Sequence, residues 1–124
     1  MATILVVDDE PQILKITESM LTRAGHTVYT APNGLEAMSI IMAKAEWLDV
    51  IVSDLNMPEV DGYTLYIWIT KEFPELMLKF VFHTSNPDEL DNYNETVLVR
   101  KMDKPSDPGV FMNTIDEILI GKYH

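Results

Sequence analysis

Thr3-Ile4-Leu5-Val6-Val7-Asp8-Asp9-Glu10 is the stretch that decides the fold. Five aliphatic or β-branched residues run on without alternation, the mark of a strand buried on both faces of a parallel sheet. The run ends abruptly in three acids. Pro11 suits a first helical turn, and Ile13, Ile16, Thr17, Met20 and Ala24 recur at helical spacing until Gly25, a natural stop.

Outward from there the pattern repeats. Thr27–Thr30 reads as a second short strand. Asn33-Gly34 precedes a helix with Leu35, Met38, Ile41, Met42 and Ala45 on one side. Leu48–Ser53 is a third buried strand and again ends in an acid, Asp54. The loop Leu55–Asp61 leads through Gly62 into a helix expected to end near Phe73-Pro74, because the residue before proline disfavours helix. Met77–His83 reads as strand four and Val97–Met102 as strand five. Asn86–Thr96 between them is polar and only weakly helical, so a short or mobile fourth helix is expected. Val110–Ile120 closes the chain as an amphipathic helix. Strands alternating with helices at this spacing predict βαβ units with right-handed crossovers, hence a parallel three-layer α/β/α sandwich.

The 124 residues suit one domain, 1–124. Nine Lys+Arg against twenty Asp+Glu give a net charge of −11, which argues against a nucleic-acid or anionic-membrane surface, since phosphate binding needs clustered cations. Cysteine is absent, which removes disulfides, zinc–thiolate sites and thiol nucleophiles. No apolar run approaches the ~20 residues of a membrane span, and no basic region precedes the first apolar stretch. The expected location is cytoplasmic.

Ligands of open parallel sheets bind beyond the carboxyl ends of the strands, where strand order reverses. There the sequence delivers Asp8 and Asp9 from strand one, Asp54 from strand three, Thr84 from strand four and Lys104 after strand five. If strands one and three are neighbours, three carboxylates converge and raise one another's pKa. All-oxygen ligands without His or Cys favour hard Mg²⁺ over zinc. A cation, a lysine, a hydroxyl and a carboxylate nucleophile together suit a phosphoryl group.

Asp8-Asp9, Asp54-Leu55-Asn56-Met57-Pro58-Glu59-Val60-Asp61-Gly62, Thr84 and Lys104-Pro105 resemble the receiver domain of bacterial two-component response regulators, of the stand-alone, chemotaxis-regulator-like kind. The resemblance runs from Ile4 to Ile120. It implies a flavodoxin-like (βα)5 fold with strand order 2-1-3-4-5. Asp54 would be the phosphorylated aspartate. Asp9 and Asp54 would hold Mg²⁺ through their carboxylates and Asn56 through its backbone carbonyl, with Asp8 acting directly or through water. Lys104 would contact the phosphoryl group, and Thr84 would swing to hydrogen-bond it. Ser85 would be the small residue that leaves the site open. The donor would be a histidine kinase or phosphotransfer protein. The outcome would be a changed surface for a downstream protein, so the chain is expected to be a switch rather than an enzyme.

Two departures stand out. The family usually carries Tyr or Phe three residues before the lysine, where this chain has Lys101. The third helix is apolar almost all round, so with Leu65, Tyr66 and Ile69 on the sheet, Ile67 and Trp68 are expected to face outward as a partner surface. Against these readings stand plainer ones. Any single acid here can cap a helix, His83 can be a packed strand residue, and Met20, Met38 and Met42 can be core.

Four other functions compete. A degenerate receiver would serve as a phosphorylation-independent interaction module. A receiver fragment of a larger regulator or hybrid kinase is the second, although Gly121–His124 resembles no linker. A haloacid-dehalogenase-type hydrolase needs Asp-x-Asp after strand one, and a nucleotide-binding flavodoxin-like protein needs a Gly-rich phosphate loop. Neither motif is present.

Overall fold

The computed structural model of the chain describes residues 1–92 and 99–121. Its elements are β1 (Thr3–Val7), α1 (Pro11–Arg23), β2 (Thr27–Ala31), α2 (Gly34–Lys44), β3 (Val50–Ser53), α3 (Gly62–Glu72), β4 (Phe80–Thr84), β5 (Arg100–Asp103) and α4 (Pro108–Leu119). All strand pairs are parallel, in the order β2-β1-β3-β4-β5, as expected.

The two-residue period of the strands sorts the core into two clusters. Leu5, Val7, Ile51, Phe80 and Phe82 point to one face, where α2 and α3 cover them with Ala37, Ile41, Leu65, Tyr66 and Ile69. Ile4, Val6, Val50, Val52 and Val81 point to the other, covered by Leu21 of α1 and by Phe111, Ile115 and Ile118 of α4. The strands thus read as unbroken apolar runs because both faces are buried. Strand order reverses at β1 and β3, whose register pairs Val7 with Ser53. The residues that follow them, Asp8 and Asp54, therefore emerge side by side.

Several expected boundaries and faces shift. Met77–Lys79 is not strand: Pro74–Lys79 forms a 3-10 turn that buries only Leu76, and β4 starts at Phe80, where Ile51 first offers it a partner. β5 begins at Arg100, opposite Val81, and runs on to Asp103 opposite Thr84, while Val97 and Leu98 lie outside the described residues. Within the segment expected to form a short or mobile fourth helix, the described residues make a 3-10 turn, Pro87–Asn92; the remainder, 93–96, lies outside the described residues.

In α2 the buried positions are Gly34, Ala37 and Ile41, whereas Leu35 and Met42 are exposed. Gly34 sets this phase, because a Cβ there would lie 2.5 Å from the carbonyl oxygen of Val60. Met42 is therefore not core, while Met20 and Met38 are half-buried against the two clusters. On α1 Thr17 and Leu21 are buried, and Ile16 is exposed.

Leu65, Tyr66 and Ile69 of α3 face the sheet as expected. Ile67 and Trp68 do not stand free: both are half-buried against the same cluster, and Trp68 meets Phe73 edge-on at 5.4 Å. The helix ends at Phe73 before Pro74, so that ring folds back along α3 and covers the indole. No helix among the described residues is long and apolar enough to cross a membrane.

Candidate functional site

The site is built where β1, β3 and β5 end. Backbone bonds carry the ladder one residue past each strand: the Asp54 amide donates to Val7 at 2.9 Å, and the Asp8 amide to Ala31 at 3.1 Å. Both residues are buried, at 2% exposure for Asp8 and 6% for Asp54. Behind Asp54 the start of α3 presses close. A Cβ on Gly62 would lie 2.1 Å from the Asp54 carbonyl oxygen, so only glycine lets the helix enter here.

Lys104 reaches into this space from beyond β5, with its amide donating to the Thr84 carbonyl at 2.9 Å and a cis bond to Pro105. Its ammonium lies 2.7 Å from Asp8 Oδ2, 2.9 Å from Glu10 Oε1 and 3.1 Å from Asp54 Oδ2. The second oxygen of Asp54 accepts the Leu55 amide at 2.7 Å. The second oxygen of Asp8 accepts the Glu10 amide at 2.9 Å, which turns the loop so that the Glu10 side chain comes back over the site.

Burial pushes the Asp54 carboxyl above the usual carboxylate range. The Lys104 hydrogen bond and charge oppose the shift, and repulsion from Asp8 adds to it. Desolvation wins in part because one ammonium is shared among three carboxylates. Burial alone would lower Lys104, yet its bonds to Asp8, Glu10 and Asp54 outweigh that and raise it, so the lysine stays charged.

Asp8, Glu10 and Asp54 are the one group of potential metal ligands among the described residues, with an oxygen from each within 4.8 Å of the others. Of the acids expected around a metal, Asp8 and Asp54 belong to this cluster; Asp9 is exposed and outside it, and Glu10 stands there beside them. The physical reason is the Asp8 turn, which brings the residue two positions on, with a longer side chain, back to Lys104. The signal in the sequence was a third acid in the same loop. The donor set fits Mg²⁺: all ligands are hard oxygens, and three carboxylates outnumber the single ammonium.

The other expected residues sit around this centre. Thr84 is fully buried, and its hydroxyl accepts the Asn86 amide at 3.0 Å. Ser85 is exposed beside it. The side chain of Asn56 donates to Glu89 Oε1 at 3.3 Å, tying the loop after β3 to the Pro87–Asn92 turn. Lys101 grips the same turn from β5: its ammonium donates to the Pro87 carbonyl at 3.4 Å and pairs with Asp91 at 3.7 Å. Ile67 and Trp68 lie on α3, in its packing rather than on the rim. His83 is packed, as the plainer reading had it: it meets Phe111 edge-on at 5.3 Å and hydrogen-bonds Ser106 at 3.1 Å.

Comparison with known proteins gives the same picture. The transcriptional regulatory protein GlrR of Escherichia coli is 34% identical over 119 residues, which is 95% of this chain but 26% of that protein. The sensor kinase CckA of Brucella abortus is 38% identical over 81 residues, 65% of this chain and 8% of that protein. The chain thus spans about a quarter or less of these relatives.

Among solved structures, a response regulator receiver domain protein from Clostridium thermocellum superposes with a TM-score of 0.86 at 25% identity, covering 98% of this chain and 97% of that one. The chemotaxis protein CheY4 of Vibrio cholerae gives 0.84 at 26% identity, covering 96% and 99%. The response regulator receiver domain family model matches residues 4–116, a span that runs from within β1 through most of α4 and holds every residue of the rim, and the chain belongs to that family.

Proposed function

We propose that the chain is a phosphorylation-dependent signalling switch that accepts a phosphoryl group on Asp54. The observation that carries this reading is the Asp54 carboxylate itself. It is buried, with one oxygen held by the Leu55 amide and the other facing the Lys104 ammonium. Such a group is oriented as a nucleophile and has a cation ready for the charge it receives.

The donor is a histidine kinase or a phosphotransfer protein. A P–O bond forms from Asp54 to phosphorus as the donor's P–N bond breaks, and the electron pair leaves on the histidine ring nitrogen. Asp54 and Asp9, the Asn56 carbonyl and Asp8, directly or through water, would hold Mg²⁺, which when bound would supply charge neutralisation for the transferring group. Lys104 keeps a point charge on the phosphoryl oxygens.

Phosphorylation adds about −1.5 to −2 charge and strong acceptors. When the Thr84 hydroxyl turns to donate to that group, it gives up the Asn86 amide, and the strain passes to the Pro87–Asn92 turn that Lys101 and Asn56 tie down. The surface around Ser85 and Lys101 is then the one a downstream protein reads, with the outer edges of Ile67 and Trp68 a second contact candidate. This is a shift of population rather than turnover, so the reading is of a switch and not an enzyme.

A net charge of −11 favours protein over nucleic-acid or membrane partners, and the cytoplasm is the compartment that fits. Residues 1–124 are read as one receiver domain. Its use within a larger regulator or kinase is the alternative that the short coverage of GlrR and CckA supports.

The test is a titration with beryllofluoride and Mg²⁺, followed by amide shifts. TrrA of Thermotoga maritima, similar in fold at a TM-score of 0.83 and 24% identity over 96% of this chain and 100% of that one, was solved in complex with Mg²⁺-BeF. Saturable shifts at Asp54, Thr84 and Lys101 are expected. Shifts confined to Asp8–Glu10, or none, would contradict the proposal.

A further inference from the structure

We propose that Glu10 is a latch on Lys104, holding the ammonium donor that an incoming phosphoryl group must take. The inference rests on the phosphoacceptor reading of Asp54. A lysine has three N–H donors, and in this structure all three have a carboxylate partner: Asp8, Glu10 and Asp54. Lys104 cannot bind a new anion without releasing one of them.

The three partners are not equally easy to release. The side chains of Asp8 and Asp54 are 3% and 8% exposed, so freeing either would leave an unpaired buried charge. The Glu10 side chain is 60% exposed and would pass into water. Glu10 stands at the N-cap of α1, yet its side chain makes no capping bond, and its backbone stays fixed by the Asp8 carboxylate. Glu10 therefore keeps the lysine paired in the resting site and sets a threshold that the phosphoryl group overcomes. This is a positioning role, exerted through Lys104.

Two variants separate the contact from the charge. Glu10→Gln removes the charge, and Glu10→Asp keeps it on a side chain one methylene shorter. Each is titrated with beryllofluoride at saturating Mg²⁺ by calorimetry, with thermal melts to establish folding. A latch predicts that both variants bind the mimic more tightly than the native chain, by about two- to fivefold, the range of an exposed ion pair. Glu10→Asp indistinguishable from the native chain would overturn the latch in favour of a plain field effect. Weaker binding by either variant would overturn it in favour of a supporting role. Failure of the native chain to bind the mimic at all would bring down the phosphoacceptor reading and the latch with it, whereas native binding with no gain removes the latch alone.

Discussion

Lys104 Nζ and Asp54 Oδ2 stand 3.1 Å apart although 50 positions separate them in the chain. The sheet closes that gap. β3 delivers the aspartate, β5 delivers the lysine, and the parallel register of both with β4 brings their carboxyl ends to one rim. Because burial still holds the Asp54 carboxyl above its ordinary range despite this contact, the pair is arranged for reactivity more than for stability.

That cost is measurable. A carboxyl whose folded pKa lies above its unfolded value takes up protons on folding, so stability falls as pH rises from 3.8 through the raised value, and the loss is complete above it. Asp54→Asn therefore unfolds at higher urea than the native chain at neutral pH. The two converge once pH drops below the ordinary carboxylate range. Equal midpoints at neutral pH would mean that Lys104 compensates the burial in full.

His83 acts in the opposite direction. Burial, with a smaller contribution from the Lys104 charge, pushes its imidazole down to about 4 from an ordinary 6.5. The unfolded chain then binds a proton that the folded one refuses, so stability is full above 6.5 and is lost as pH falls towards about 4. The slope is at most about 1.4 kcal/mol per pH unit. His83→Gln, compared with the native chain by thermal melts across that window, should remove this slope; an unchanged slope would assign it to other groups.

Gly62 is tested against Gly25. A methyl group at position 62 meets the Asp54 carbonyl, so Gly62→Ala must displace the backbone that carries the nucleophile, and it should cost about 1–3 kcal/mol and weaken binding of Mg²⁺ with beryllofluoride. Gly25 has φ +96° and nothing within 4 Å of an added Cβ. Gly25→Ala should cost about 1–2 kcal/mol through backbone strain and leave binding unchanged. Chemical denaturation and calorimetry on both variants check the contrast.

Lys101 holds the Pro87–Asn92 turn through one carbonyl and one exposed carboxylate. Exposed pairs contribute about 0.2–1 kcal/mol, so Lys101→Ala should barely move global stability. It should speed amide exchange within Leu90–Asn92, already expected to exchange faster than α1. Exchange in that turn as slow as in α1 would contradict the account of a loosely tied segment.

Much of this was legible in the sequence, for reasons that particular residues make plain. Thr3–Val7 and Val50–Ser53 read as strands buried on both faces because neither alternates, and the acids that end them marked the rim. Lys104 and Thr84 were marked by their places at the strand ends, and the family resemblance supplied their roles. What was hidden depended on contacts distant in sequence. The phase of α2 is set by Gly34 against Val60, so Met42 turned outward. Trp68 is covered by Phe73 from beyond its helix. Glu10 stood in plain view as a third acid, but only the Asp8 turn shows that its side chain, and not that of Asp9, reaches Lys104.

The central claim is that Asp54 accepts a phosphoryl group, and intact mass tests it most directly. The native chain and Asp54→Asn are incubated with Mg²⁺ and a small-molecule phosphodonor, beside a metal-free control. The account predicts one added phosphoryl group on the native chain, absent from the variant and from the control. An adduct of equal size on Asp54→Asn, or none on a native chain that also fails to bind beryllofluoride, would contradict it.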